Sequence, residues 1–322
     1  MLPIQSNLIR YLFALRVNSS LVWMPAHIQV ELSCILAHTI AKRLPTAQAR
    51  PWKKMIAKRD QSGILNNFPI KANVLPPDIP WPIETTLFVY PIKKTYSKDD
   101  LILWELKLIG AGADHAMFME VILPALEQIG FSPDSQWQRT NALWGNFEIQ
   151  SVYTAKGPRW KPLIKAGKID LRYKVLPTQW RKGLSLPDNP LRPLTRLSWL
   201  QSVELLLPRD NQSPTLANLV MAAAKRMAMI EKGPYATADD WLKSLPGEQK
   251  AVWRRAYKQA RGIGVKKNHL KSNHSKSAHS IWQGNVQFKQ ALPPDLLAVL
   301  FVATIFHVGA RTHYGWGSFV LN

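Results

Sequence analysis

The first hydrophobic pattern in the chain is an alternation. From Leu8 to Val17 (LIRYLFALRV) apolar and aromatic residues fall at every second position, with Arg10 and Arg16 between them, the period of a strand with one buried face. From Pro25 the apolar spacing becomes helical and holds to about Leu44. Lys42 to Arg59, interrupted by Pro45 and Pro51, reads as a loop, and the proline-rich stretch Pro69 to Pro82 as irregular chain. Strands are expected at Thr86 to Tyr90 and Leu101 to Ile109. A helix is expected at Ala116 to Ile129 with Gly130 as its C-cap, then a strand at Phe147 to Tyr153. Strand, helix, strand, strand, helix, strand is the ferredoxin-like order, shared with the RNA-recognition motif, so the topology alone names no function.

Past a basic, proline-rich connector at 156–193 the pattern starts again. Leu197 to Leu207 reads as a strand. Ser213 as N-cap and Pro214 in the first turn open a helix to about Glu231. Trp282 to Lys289 reads as a strand, Pro294 to Phe306 as a helix, and Arg311 to Leu321 as a glycine-rich loop and a last strand. Residues 232–280 stand apart in composition as a basic helical insertion, with 266–276 as a mobile arm. The expected class is α+β: two tandem ferredoxin-like domains, 1–155 and 194–322, the second carrying the insertion.

Charge then narrows the function. The chain of 322 residues has 42 Lys+Arg against 21 Asp+Glu, a formal net charge of +21. Such an excess points to a polyanionic partner, and a hydrophobic share of 46% excludes a disordered basic tail. Cys34 is the single cysteine, which rules out an intrachain disulfide and a multi-cysteine zinc site. The start of the sequence has no signal-peptide pattern, and no apolar run reaches the roughly 18 to 20 residues of a membrane helix. A cytoplasmic protein is expected, without membrane contact, metal or cofactor.

Three clusters carry candidate chemistry. The last residues, HVGARTHYGWGSFVLN, interleave Gly309, Gly315 and Gly317 with Arg311, His313, Tyr314 and Trp316. Glycines let a backbone approach phosphates, while the cation and rings offer charge and stacking; an ordinary glycine-rich turn is the alternative reading. From Lys250 to Lys276 there are nine Lys/Arg and no acid: Lys250, Arg254, Arg255, Lys258, Arg261, Lys266, Lys267, Lys271 and Lys276. Trp253 and Tyr257 lie among them, able either to stack on bases or to dock the helix. A second basic segment holds Lys53, Lys54, Lys58 and Arg59. His269, His274 and His279 recur at a five-residue interval that no helix face shares, without a nearby carboxylate, and are not read as a metal site. Metal-free RNA cleavage would need an acid–base set. The candidates are His27, His38 and His313, with Tyr11 and Lys42 nearby in pattern, and they form no recognisable triad.

These residues resemble the CRISPR-associated RAMP superfamily, most closely its crRNA-processing endoribonuclease branch. The resemblance is carried by LWELKLIGAGADHAMFMEVILPALEQIG, by FEIQSV, and by LTRLSWLQSVELLLP with SPTLANLVMAAAKRM. It continues in the ending IWQGNVQF through HVGARTHYGWGSFVL. It implies tandem ferredoxin-like domains and RNA contact at Gly309, Arg311, Gly315 and Gly317, with His313 in a variable position. Two functions follow. One is a crRNA-binding subunit of a Cascade-type surveillance complex that grips the 5′ handle, with the insertion meeting target double-stranded DNA near its protospacer-adjacent motif. The other is a metal-independent endoribonuclease acting on repeat RNA by 2′-OH attack. Expected partners are crRNA or pre-crRNA, target DNA and other CRISPR subunits.

Overall fold

The computed structural model describes residues 4–62, 75–90, 93–165, 167–170, 173–184, 194–206, 214–274 and 279–322. They divide into two compact units, 7–183 and 184–322, the latter joined by the residues before Asn7.

In the first unit, β1 (Leu8–Val17) is followed by the short β2 (Val22–Trp23), α1 (Ile28–Arg43) and α2 (Thr46–Gln61). Next come β3 (Thr85–Val89), β4 (Thr95–Tyr96) and β5 (Leu101–Ile109). A continuous helical run then passes through α3 (His115–Met117), a π-helical turn at Phe118–Ile122 and α4 (Leu123–Phe131). The unit ends with β6 (Phe147–Lys156), β7 (Arg159–Lys165) and β8 (Lys168–Ile169). The antiparallel sheet runs β3-β5-β1-β6-β7-β8, so its first four strands have the ferredoxin-like arrangement expected from the sequence. Ile9, Tyr11, Phe13, Leu15 and Val17 of β1 enter the core against α1 and the π-turn, as the alternation required.

Three expectations in this unit are corrected. The segment read as a loop around Pro51 is the helix α2, with Pro51 inside it. Proline costs a helix interior about 3 kcal/mol. The docking of Ala49, Trp52 and Met55 outweighs that cost, with the Trp52 ring 5.2 Å from that of Trp81. Arg59, counted with the exposed cations, is fully buried: its guanidinium donates to the Ile79 carbonyl at 2.7 Å and to Ser33 Oγ at 3.0 Å. The connector read from residue 156 onwards is partly sheet. β6 and β7 form a hairpin, and Gln179 Nε2 donates to the Ala155 carbonyl at 3.0 Å, holding the following chain to the same unit.

The second unit holds β9 (Arg196–Trp199), β10 (Val203–Leu206), α5 (Leu216–Lys232), α6 (Ala238–Ser244) and α7 (Gly247–Gly262). They are followed by β11 (Val265–His274), β12 (His279–Phe288), α8 (Pro294–Phe306) and β13 (Phe319–Leu321). β9 and β10 are two halves of the one strand expected at Leu197 to Leu207; both pair with β12, and β13 pairs with β9 on the other side. β11 pairs with the far side of β12, so the ferredoxin-like strand path recurs. Residues 266–274 are therefore part of a sheet strand and not a free arm; 275–278 lie outside the described residues. Thr215, not Ser213, caps α5, in a reciprocal capping box with Asn218, and Ser213 also lies outside the described residues. The added helices are α6 and α7, set between α5 and β11. Among the described residues no helix is long and apolar enough to cross a membrane.

Candidate nucleic-acid interface

α7 turns one face inward and one outward. Trp253, Ala256 and Ala260 are buried, with the Trp253 ring edge-on to Trp241 at 5.0 Å, so Trp253 docks the helix and is not presented to a ligand. On the outside Lys250, Arg254 and Lys258 follow at intervals of four, one row with about 6 Å between successive members. Arg261 extends this face, and Tyr257 is exposed on it. Arg255 points elsewhere, bidentate on Asp295 at 2.7 and 3.2 Å. Lys266 is exposed at the start of β11. The side chains of Lys267 and Lys271, and all of Lys276, lie outside the described residues.

α2 offers a second cationic row. Arg50, Lys54 and Lys58 recur at the same spacing, with Lys53 beside them, and all four are exposed. Among the described residues none of the four has an ion-pair partner, so this surface keeps its charge.

The C-terminal loop behaves differently. It docks into the break between β9 and β10: the N–H of Ala310 donates to the Glu204 carbonyl at 3.0 Å and that of Gly317 to Ser202 at 2.8 Å. Leu200 N–H donates back to the Ser318 carbonyl at 3.0 Å, which explains why the strand is interrupted there. Gly309 and Gly317 have positive φ, and a Cβ on them would stand 2.2 Å from Glu204 O and 1.8 Å from Val308 O. These glycines are required by packing within the protein. Arg311, in the left-handed region at φ 57°, is ion-paired with Glu204; the two side chains are 11% and 5% exposed. Its guanidinium lies 5.5 Å from the Trp316 ring centre. His313, Tyr314 and Gly315 are buried, His313 packing on Tyr314 at 3.9 Å. Gly309, Arg311 and Trp316 stay partly accessible.

The candidate histidines are divided between the two units. His27 precedes α1 as its N-cap residue, and His38 uses Nδ1 on the Cys34 carbonyl at 2.9 Å while its ring lies edge-on to Trp137. Both belong to the first unit and His313 to the second. Lys42 is paired with Asp134 at 2.5 Å. Among the described residues no group of three His, Cys, Asp or Glu side chains converges as a metal would need.

Tyr11 instead meets a histidine the pattern did not single out. Its hydroxyl is 2.9 Å from His115 Nδ1, and its ring stacks on Phe118 at 3.6 Å. His115 opens α3 behind Asp114, whose carboxylate accepts from Ala116 N–H. The signal lay in GAGADH: a strand end, a glycine turn and an N-cap aspartate fold the next residue back over the start of the sheet. Burial raises the Tyr11 phenol far above its ordinary value and lowers His115, Asp114 opposing the latter. When the phenol donates to Nδ1, the neutral imidazole keeps its proton on Nε2, where it can donate or pass it on.

A pH dependence follows from that burial. The unfolded chain takes up a proton at His115 near pH 6.5 and the folded chain only at lower pH, so this stabilisation is complete above about 6.5 and lost as pH falls. The urea midpoint of the protein should therefore decline between roughly pH 6.5 and 5, and less steeply in His115→Gln. Equal slopes in both would remove His115 as the source.

No family model and no curated relative matches the sequence. Solved structures do. A partial Cas6-RT-Cas1–Cas2 complex aligns with a TM-score of 0.54 and 13% identity, over 100% of this chain and 47% of that one. This chain shares its fold with part of that Cas6-containing chain. A Cas6-RT-Cas1–Cas2 complex aligns at 0.54 and 13% identity over 100% of this chain and 29% of that one, so this chain spans less than half the length of either matched chain. A Cas6 product complex aligns end to end, over 98% and 100%, at 14% identity and a TM-score of 0.47.

Proposed function

We propose that this chain binds CRISPR RNA as the handle-holding subunit of a surveillance complex, with α7 turned towards target double-stranded DNA. The observation that carries the reading is the outward face of α7 on a Cas6-type fold. Four cations and Tyr257 stand on one side of a helix whose other side is anchored by Trp253 and, through Arg255, by Asp295. A helix added only to cover the core would not need an unbroken positive outer face. The C-terminal loop contributes to the RNA site through Trp316 and the accessible backbone at Gly309 and Arg311, while the Arg311 charge is balanced by Glu204. The row on α2 adds further phosphate-binding charge. CRISPR subunits would be the partners, and the protein would work in the cytoplasm.

The test is incubation with labelled repeat RNA in EDTA, following binding and cleavage together. The expected result is binding with the RNA intact. A single cut leaving a cyclic 2′,3′-phosphate would replace the handle-holding role with that of a nuclease, and absence of binding would overturn the RNA assignment itself.

A further inference from the structure

The helices of the first unit cover one face of its sheet; the other face carries a patch that the core does not account for. Strand register places its members in rows. Arg10 on β1 stands opposite Lys107 on β5; Leu12 lies between Glu105 and Tyr153 on β6; Ala14 lies between Leu103 and Ser151. The hairpin extends the rows, with Trp160 opposite Ala155, Pro162 opposite Tyr153 and Lys165 opposite Ser151. Along this face Leu101 and Leu103 are 49% and 41% exposed, and Leu12, Tyr90, Tyr153 and Trp160 are half-buried. Accessible apolar and aromatic groups gathered on one sheet face mark a binding surface.

Its polar groups are already ordered. Arg10 donates from Nε to Glu105 at 2.5 Å and places its guanidinium 5.1 Å from the Trp160 ring centre, fixing one side of that ring. Tyr90 also hydrogen-bonds to Glu105. Burial pushes the Glu105 carboxyl up, but Arg10 and then Lys107 outweigh it, and the group stays ionised as the hub of this network. On the same face as the rings the hairpin exposes Lys165 and, opposite it, Lys168; Lys156, Arg159 and Lys161, which the register turns to the other face, are exposed along the hairpin, and none of the five has an ion-pair partner among the described residues. Rings and aliphatics in the middle with cations at the edge suit a chain of unstacked bases joined by phosphates: bases lie on the rings and the backbone follows the lysines.

We propose that this outer sheet face, centred on Trp160 and Tyr153 and bordered by Lys165, is a stacking platform for single-stranded RNA. It rests on the reading of the chain as an RNA-binding protein and adds a surface distinct from the C-terminal loop and the basic helices. Recognition here is by ring and backbone, so it tolerates sequence. The substrate segment is unpaired RNA, because paired bases cannot lie flat on side chains.

The test is anisotropy binding of a labelled single-stranded RNA to the full chain over a salt series. Trp160→Ala and Tyr153→Ala should each weaken binding about tenfold, or roughly 1.4 kcal/mol, without altering the slope of log affinity against log salt. Lys165→Ala should lower that slope by about 0.7, and Trp160→Phe, which keeps a ring, should bind within about twofold of the parent. Retained melting temperatures separate these effects from misfolding. Photocrosslinking from a thiouridine-substituted RNA should place the adduct on the β6–β7 hairpin. Parent binding with unchanged affinity in both ring variants overturns the platform alone; failure of the parent chain to bind RNA overturns the underlying reading as well. Weakening in Trp160→Phe equal to that in Trp160→Ala would also overturn it, since a ring would then not be what the RNA uses.

Discussion

Replacing Lys250, Arg254, Lys258 and Arg261 together by alanine should reduce affinity for target duplex DNA by roughly three orders of magnitude at 0.1 M salt. The reasoning is electrostatic. Each phosphate neutralised on B-DNA contributes about 0.9 to the slope of log affinity against log salt, so four contacts account for a slope change of about 3.6. The four side chains lie along one side of α7, whereas Arg255 is engaged with Asp295 and Trp253 is inside, so the substitution removes charge and leaves these two anchors, losing only the Lys250 ammonium's bond to the Lys243 carbonyl at 3.1 Å. Alanine is also the best helix former, which keeps α7 intact. Affinity for repeat RNA should stay within about threefold by the same slope argument, because the RNA is assigned to other surfaces. If RNA binding fell with the same slope change as DNA binding, α7 would be part of the RNA site and the division between the two nucleic acids would be wrong.

The strand pattern was readable from residue alternation because the buried face of β1 is nearly pure: Ile9, Tyr11, Phe13, Leu15 and Val17 all enter one core. The same logic found the strand path of the first unit and, in the second, every strand of that path except β11. It failed at α2, where a local rule about Pro51 lost to contacts made by Trp52 and Arg59 with residues distant in sequence. It failed again at β11, whose KKNHLKSNH reads as a polar arm until β12 is placed beside it, since backbone pairing leaves no mark in a polar sequence. The two basic helical rows were visible as charge, but which cations face outward needed the fold: Arg59 and Arg255 are spent on partners that no spacing rule reveals. The Tyr11–His115 contact joins residues 104 apart, and the sheet-face platform joins four strands; both exist only after register is set.

The loop that looked most like an RNA cradle makes a different demand, which a double-mutant cycle on Arg311 and Glu204 should expose. Arg311→Met leaves the Glu204 carboxylate, 5% exposed, without its cation, and Glu204→Gln leaves a nearly buried guanidinium without its anion. Breaking a buried pair from one side costs about 3 to 5 kcal/mol, because the survivor remains desolvated. For units of this size each single change should lower the melting temperature by roughly 6 to 20 °C, at about 2 to 4 °C per kcal/mol. The double change removes both charges together, so its cost should fall well below the sum, with a coupling of at least about 2 kcal/mol. The loop is also held by the Ala310 and Gly317 N–H groups in the β9–β10 break, with Gly309 and Gly317 hard against neighbouring carbonyls, so these backbone contacts should keep it docked in each folded single variant. RNA affinity measured at low temperature, where the single variants remain folded, should then stay near that of the parent. A large loss of affinity in Arg311→Met with no loss of stability would instead show that the guanidinium leaves Glu204 for phosphate when RNA arrives.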